Sequence, residues 1–524
     1  MKQRIGAVIC VVLLVNVAIF YKMNSIISNE QIASNQGFSS FSVKIANARG
    51  DILYRNGEKI TNTDFTSYAV FTPEALNDNR LPMCLNSSQI KTLKSGCPVC
   101  EKVPDDFTMQ GAVTTICSTT QNCIIPNIVG YANFDGMGVC GIEKSYDDVL
   151  NLGEIKAYVR RDAYGESLSQ GVKIENKTGA SSVTLTIDKD WQDVAYTALK
   201  KYVKSGAAAV VDFKTGEILA SVSLPDFDIN NVDAYLKNDG APLINRTFTP
   251  FPVGSIFKIC TSAVALEKHI SISHNCTGLY TLKDAQFSCM NDRAHGQVDL
   301  ETALALSCNT YFVALSERLQ SADLLEKAKL LGFGTDTRLC SDLVSSAGSL
   351  PSVQTLKIAG EKANFAFGQG QLTATPLQIA SLIATVANSG KRCIPTLIKS
   401  TTDKNGETEN NTTPAPVYAM DDDVARSLYI YLMNAAQSGT AQSGAVAGLT
   451  IGAKTATAET GNALDAWYAG FVEELGVSIA ILCENGTSGS ESCAPVFKMM
   501  VNLMKNHSVV DLIVTVHIIL CRKK

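Results

Sequence analysis

The sequence predicts an α+β protein whose main domain is an antiparallel sheet flanked by helices, with a helical subdomain set between its strands. Three observations lead there. Strand-like runs lie at both ends of the domain region (183–224 and 447–483), so strands far apart in sequence must pair with one another. Between them, Ser255 to about Met433 reads mostly as helix. A chain of 524 residues, 46% hydrophobic and 18% charged, has globular composition and enough length to bury a large core.

From the N-terminus, Lys2 and Arg4 in residues 1–4 precede the apolar run Ile5–Tyr21, broken only by Gly6 and Asn16. It is at the short end of what crosses a bilayer, about 17 residues or more. The basic residues place residues 1–4 in the cytoplasm and the rest outside, and no small-x-small cleavage site follows Tyr21. An uncleaved single-pass anchor in the cell membrane, residues 5–21, with an extracytoplasmic remainder is expected. Residues 22–40 form a polar linker, and 41–163 a cysteine-rich, non-catalytic module. That module holds Cys84, Cys97, Cys100, Cys117, Cys123 and Cys140. Cys97-Pro98-Val99-Cys100 could be half a metal site or a redox pair, but no second C-x-x-C or histidine accompanies it, so disulfides are expected. Six cysteines allow fifteen pairings, and none is assigned.

The main domain is expected over 164–506. Val183–Ile187 reads as a strand leading into a helix through Trp191–Val203. Ala207–Phe213 and Glu217–Val222 read as a hairpin, and the helical block follows. Thr401–Pro416 reads as a surface loop. Strands at 447–457, 465–473 and 477–483 precede a closing helix, Ala494–Lys505. The tail 507–524 is apolar, interrupted by Asp511 and His517, and ends in Arg522-Lys523-Lys524; it is left unassigned. Net charge is −5, and neither nucleic-acid motifs nor phosphate-cradling loops occur. Nucleic acid is therefore not an expected partner.

The chemistry is carried by an ordered trio: Ser255-Ile256-Phe257-Lys258, Ser307-Cys308-Asn309 and Lys454-Thr455-Ala456-Thr457. A serine three residues before a lysine lies one helical turn from it, where the amine can take the hydroxyl proton and make the serine a nucleophile. The fragments are cheap, because Ser88-x-x-Lys91, Ser273-x-Asn275, Lys177-Thr178-Gly179 and Lys214-Thr215-Gly216 also occur. Context separates them. Ser255 follows Pro250, Pro252 and Gly254 and opens an apolar helix, whose free N–H groups suit a developing oxyanion. Ser88 lies in a cysteine-rich polar stretch without a comparable helix signal, and Lys214–Gly216 reads as a hairpin turn. Lys454 lies on a strand edge that a substrate could approach.

With these motifs the chain resembles a class B penicillin-binding protein, with its penicillin-binding-protein/serine β-lactamase-like transpeptidase domain. The likeness extends to Arg49–Gly57, Gly130-Tyr131 and Gly136–Asp148, Gly206–Leu224, Asn364–Ala380 and Asp465–Phe471. The resemblance implies a peptidoglycan D,D-transpeptidase that cross-links stem peptides ending in D-Ala-D-Ala and binds β-lactams covalently, without metal or organic cofactor. It implies Ser255 as nucleophile, Lys258 as base, Ser307 as proton shuttle, and Asn309 as holder of Lys258 and the substrate amide. Lys454 and Thr455 would take the substrate carboxylate, Thr455, Ala456 and Thr457 would bind the substrate, and the N–H groups of Ser255 and Thr457 would form the oxyanion hole. A membrane glycosyltransferase partner is also implied.

One departure stands out. The family's third motif normally ends in glycine, and here the residue is Ala456. Either the methyl is tolerated or it crowds a substrate lying along the strand and slows β-lactam acylation. Cys276 and Cys289 resemble a cysteine pair of some relatives, and Cys308 is expected to be buried and inert. His269, His274, His295, His507 and His517 show no ligand spacing, and His295 is read as structural. A β-lactamase or antibiotic sensor, and a catalytically inactive scaffold, are the alternatives.

Overall fold

The computed structural model describes residues 40–507, apart from 121, 162–166, 176–178, 284 and 462. The expected anchor at 5–21 and the tail from 508 onward lie outside the described residues. Among the described residues no helix is long and apolar enough to cross a membrane.

These residues form two compact units. The first comprises residues 40–48, 64–119 and 153–175, and the second 49–63, 120–152 and 179–507. This differs from the expected single division between 163 and 164, and pairing and packing explain why. Asp51–Leu53 runs parallel to Ser182–Leu185, which pairs in turn with Ile398–Thr402. Ile125, Ile128, Val129, Ile142 and Leu150 join the large core of the second unit.

In the first unit, Asp64–Phe71 lies between Val99–Lys102 and Ala112–Thr119 in an antiparallel sheet. A second sheet orders Ser40–Arg49, Asn151–Arg161 and Ser167–Glu175. The expected disulfides are not formed, and the module's six cysteines are free thiols. Cys100 faces Val70 and Cys117 faces Thr66 from opposite sides of the same strand. That puts two strand spacings, about 10 Å, between their backbones, beyond disulfide reach. Ser88 and Lys91 lie on a helix after all, Ser87–Lys94, capped by the Asn86 side chain, whose backbone N–H donates in return to Gln89 Oε1 (2.8 Å). Both side chains are exposed, so this S-x-x-K is not a buried pair.

The second unit is built on a five-stranded antiparallel sheet in the order Ile218–Leu224, Gly206–Asp212, Val477–Cys483, Ala463–Val472, Ile451–Thr460. The strands distant in sequence do pair, because the first hairpin needs a partner for its inner edge and Val477–Cys483 supplies it. The turn at Lys214-Thr215-Gly216 closes that hairpin, with Gly216 at φ +80° and its N–H donating to Asp212 O (2.9 Å). One face of the sheet carries the helices Lys189–Tyr202 and 494–507, packed on Val210, Ala220 and Ile481. The other carries Lys258–Glu267, Pro376–Ala387 and Asp422–Ser438, packed on Ala209, Ala469 and Phe471. The expected loop at 401–416 is partly a hairpin, Ile398–Thr402 with Thr408–Asn410. Its threonines pair across the strands (Thr402 and Thr408 Oγ1, 3.0 Å).

Candidate active site

The edge strand Ile451–Thr460 meets the start of the helix Lys258–Glu267, and the cleft forms there. Ser255 sits in a 3-10 turn, Gly254–Phe257, directly before that helix. In a 3-10 turn residues three apart eclipse one another, so Ser255 and Lys258 share a face. The turn is held from two sides. Trp467 Nε1 donates to Pro252 O (2.9 Å). Gly254 adopts φ +62°, with its Cβ position only 3.1 Å from Thr457 O. Gly368 (φ +95°) approaches so closely that a Cβ there would lie 1.8 Å from Gly254 O. Any side chain at Gly368 would displace the nucleophile's turn.

Ser255, Ser307, Asn309, Thr455, Ala456 and Thr457 line one cleft of about 230 Å³. Lys258 is fully buried; its Nζ donates to Ser307 O (2.8 Å), Ser307 Oγ (3.2 Å) and Asn309 Oδ1 (2.7 Å). Asn309 is held in turn, its Nδ2 donating to Ser288 O (2.8 Å). Lys454, also fully buried, donates to Ser307 Oγ (3.0 Å) and Thr455 O (2.8 Å). All eight residues singled out in the sequence are therefore gathered at one place, Lys258 and Lys454 beneath the cleft and the others on its wall.

Burial is what sets the chemistry. Among the described residues no carboxylate pairs with either amine, so desolvation disfavours their charged forms. Burial brings Lys258 down to about 7. Lys454 is held well below the ordinary lysine range by burial and then by the charge of Lys258. A lysine that is neutral near pH 7 can accept a proton from a serine. Ser307 takes the left-handed conformation (φ +58°), strained for a residue with a side chain, and this turns its hydroxyl between the two amines.

The methyl of Ala456 is 4% exposed and shares a strand face with Lys454. It lies opposite Gly254, whose Cβ position is 3.2 Å away. The extra carbon thus fills space behind the nucleophile's turn more than space in front of it.

Two features escaped the sequence reading. Thr440 accepts from Thr455 Oγ1 (2.8 Å) and, with Gln369 and the 488–490 turn, completes the cleft wall. Their only sequence signals are small polar residues in loops. The second feature corrects the reading of the histidines: His295 lies with Cys276, Cys289 and Cys308, one ligand atom of each within 4.8 Å of the others. Cys276 and Cys289 are not bonded, their sulfurs being 3.7 Å apart. Cys276 ends a strand, whereas Cys289, His295 and Cys308 lie in connecting segments, so no regular spacing marked them.

Comparison with known proteins bears on this geometry. The family model for the penicillin binding protein transpeptidase domain matches residues 206–502. The chain is 29% identical over 414 residues to the peptidoglycan D,D-transpeptidase PbpA of Mycolicibacterium smegmatis, covering 71% of this chain and 82% of that protein. It is 27% identical over 454 residues to stage V sporulation protein D of Bacillus subtilis, covering 78% and 69%. The fold is shared with penicillin-binding protein A from M. tuberculosis, solved as a ceftriaxone acyl-enzyme complex (TM-score 0.66, 22% identity, 87% and 98% covered). It is shared also with a solved peptidoglycan synthase complex that coordinates polymerization and crosslinking (TM-score 0.71, 24% identity, 96% and 98% covered). With its transpeptidase domain matched over more than half its length, the chain belongs to the penicillin-binding proteins, in class B.

Proposed function

We propose that this chain is a serine D,D-transpeptidase that cross-links peptidoglycan stem peptides and is acylated by β-lactams. The observation that carries the reading is a fully buried lysine, Lys258, one turn from Ser255 and hydrogen-bonded to Ser307 and Asn309. Lys258 Nζ takes the proton of Ser255 as its Oγ attacks the carbonyl of the penultimate D-alanine. The tetrahedral oxyanion is held by the N–H groups of Ser255 and Thr457, each such donor being worth about 3 kcal/mol in acyl-transfer enzymes. Ser307 passes a proton to the departing D-alanine nitrogen, and the peptide remains as a Ser255 ester. An amine from a neighbouring stem then attacks that ester, gives up its proton to the lysine–serine network, and forms the new amide.

Lys454, with Thr455 and Thr457, receives the terminal carboxylate through charge-assisted hydrogen bonds. An incoming carboxylate favours the charged form of Lys454 and so opposes the effect of its burial. The basic start and apolar run at 5–21 support a membrane anchor with the catalytic part outside the cell membrane. The likeness to a synthase complex that couples polymerization to crosslinking supports a membrane glycosyltransferase as partner.

The test is release of D-alanine from a synthetic stem peptide ending in D-Ala-D-Ala, with an amine acceptor present. The full-length chain in detergent should release D-alanine together with a cross-linked product, and Ser255→Ala should give neither. Release undiminished in Ser255→Ala would contradict the assignment.

A further inference from the structure

We propose that Cys276, Cys289, His295 and Cys308 form a tetrahedral zinc site that clamps the Ser307–Asn309 motif to the strands beside the cleft. The distances match a metal and not a disulfide. Cys276 and Cys289 Sγ are 3.7 Å apart, Cys289 and Cys308 Sγ 3.8 Å, and Cys276 Sγ lies 3.3 Å from His295 Nδ1. With zinc–sulfur bonds of about 2.3 Å and zinc–nitrogen bonds of about 2.0 Å, tetrahedral edges come to about 3.8 Å between sulfurs and about 3.5 Å from sulfur to nitrogen. A disulfide needs about 2.05 Å, and three cysteines would leave one unpaired.

The surroundings also suit a closed structural site. All three sulfurs are buried. Thr310 Oγ1 lies 3.4 Å from Cys308 Sγ and 3.9 Å from Cys289 Sγ, so a hydroxyl is available to thiolates from the outer shell. His274 Nε2 orients that hydroxyl from 3.1 Å. Four protein ligands leave no open position, so the ion would hold structure and not activate water. Cys3His carries softness and geometry typical of zinc. On binding, the three thiols release their protons to solvent, and His295 coordinates as neutral imidazole, leaving a site of net charge −1.

The ligands sit where a clamp would matter. Cys308 is the residue between Ser307 and Asn309, both of which accept from Lys258. Cys289 follows Ser288, whose carbonyl accepts from Asn309 Nδ2. Ser307, Asn291 and Asp292 all hold left-handed conformations that residues with side chains avoid. A metal joining Cys276, Cys289 and His295 to Cys308 gives those strained turns a common anchor and fixes the proton-relay serine. Metal binding is read out independently of transpeptidase activity.

The full-length chain, purified in detergent without chelator, should carry about one zinc per molecule by elemental analysis. Cobalt(II) exchanged into it should give thiolate charge-transfer absorption and the strong visible bands of a tetrahedral site. Cys289→Ser and Cys276→Ser should lose both signals, whereas the double change Cys97→Ser and Cys100→Ser should keep them. Should the single variants fail to fold, chelation of the unaltered protein decides. Removing zinc should lower the melting temperature and slow penicillin acylation at least tenfold, and added zinc should restore both. Reduced protein without zinc or cobalt–thiolate bands would overturn the proposal, as would bands surviving in Cys289→Ser or a Cys276–Cys289 disulfide in the isolated chain. Acylation unaffected by zinc removal would overturn the clamping role.

Discussion

Lys258 and Lys454 donate to the same oxygen, Ser307 Oγ, at 3.2 and 3.0 Å. Both amines are fully buried, and among the described residues no carboxylate pairs with either. Two ammonium groups on one hydroxyl in a dry site repel one another, so the free enzyme favours at most one charge. An incoming carboxylate draws the charge onto Lys454 and leaves Lys258 neutral, so that one amine binds the carboxylate while the other abstracts the proton.

The first prediction is a pH profile. Lys258 is displaced downward to about 7 by burial. The rate of β-lactam acylation should therefore rise between pH 6 and 8, as the base loses its proton, with a midpoint near 7. The same displacement sets a stability trend. Between that value and the ordinary lysine range the unfolded chain binds more protons than the folded one, so this group makes stability rise with pH in that window. Stopped-flow acylation and denaturant unfolding across this range check the two signs. A rate independent of pH from 6 to 8 would contradict Lys258 as the base.

Replacing the base without changing its size separates chemistry from packing. Lys258→Met keeps the stem but cannot accept a proton. Acylation should fall by about 10²–10⁴-fold, the usual worth of a positioned base. Unpaired acceptors on Ser307 and Asn309 cost about 1–3 kcal/mol each. Removing the uncompensated amine offsets part of that, so the variant should still fold. Calorimetry and adduct formation, measured side by side, test this; acylation within tenfold of the unaltered chain would exclude the role.

Gly254→Ala tests how tightly the nucleophile's turn is wedged. The left-handed backbone alone costs about 1–2 kcal/mol. The new carbon would meet Thr457 O at 3.1 Å and the Ala456 methyl at 3.2 Å. Acylation should drop more than tenfold with the fold retained. Adding Ala456→Gly should recover part of the loss, since contacting residues couple. Strictly additive effects would contradict the contact.

Ala456→Gly by itself should do little to the chemistry, because the methyl faces Gly254. Acylation should change less than about threefold, while stability falls by about 0.5–1 kcal/mol from glycine in a strand. Parallel unfolding and acylation measurements decide. A tenfold faster acylation would mean that the methyl obstructs the cleft.

How much of this could be read from the chain depends on where each property resides. The helix start at Ser255 and the strand at Lys454 are local patterns, written in Pro252, Gly254 and the threonines near 455, and they were legible. So was the turn at Lys214–Gly216. Burial is not local. Ser88 and Lys91 have the same spacing as Ser255 and Lys258 and also lie on a helix, yet their side chains are exposed. The six cysteines between Cys84 and Cys140 suggested disulfides by number alone, whereas strand register keeps Cys100 and Cys117 apart. Conversely, Cys276, Cys289, His295 and Cys308 have no regular spacing, and only the pairing of His274–Cys276 with Gly296–Val298 brings His295 beside Cys276. The compact units cross the expected boundary for a similar reason: Asp51–Leu53 finds its strand partner at Ser182–Leu185, information that only the folded chain contains.

Acylation of Ser255 is tested most directly by intact-mass analysis of the full-length chain after exposure to a penicillin, beside Ser255→Ala. One stable adduct of the antibiotic's full mass should form on the unaltered chain and none on the variant. An adduct that persists in Ser255→Ala, or folded protein that never acquires one, would contradict Ser255 as the nucleophile; rapid loss of the adduct with hydrolysed drug would identify a β-lactamase instead.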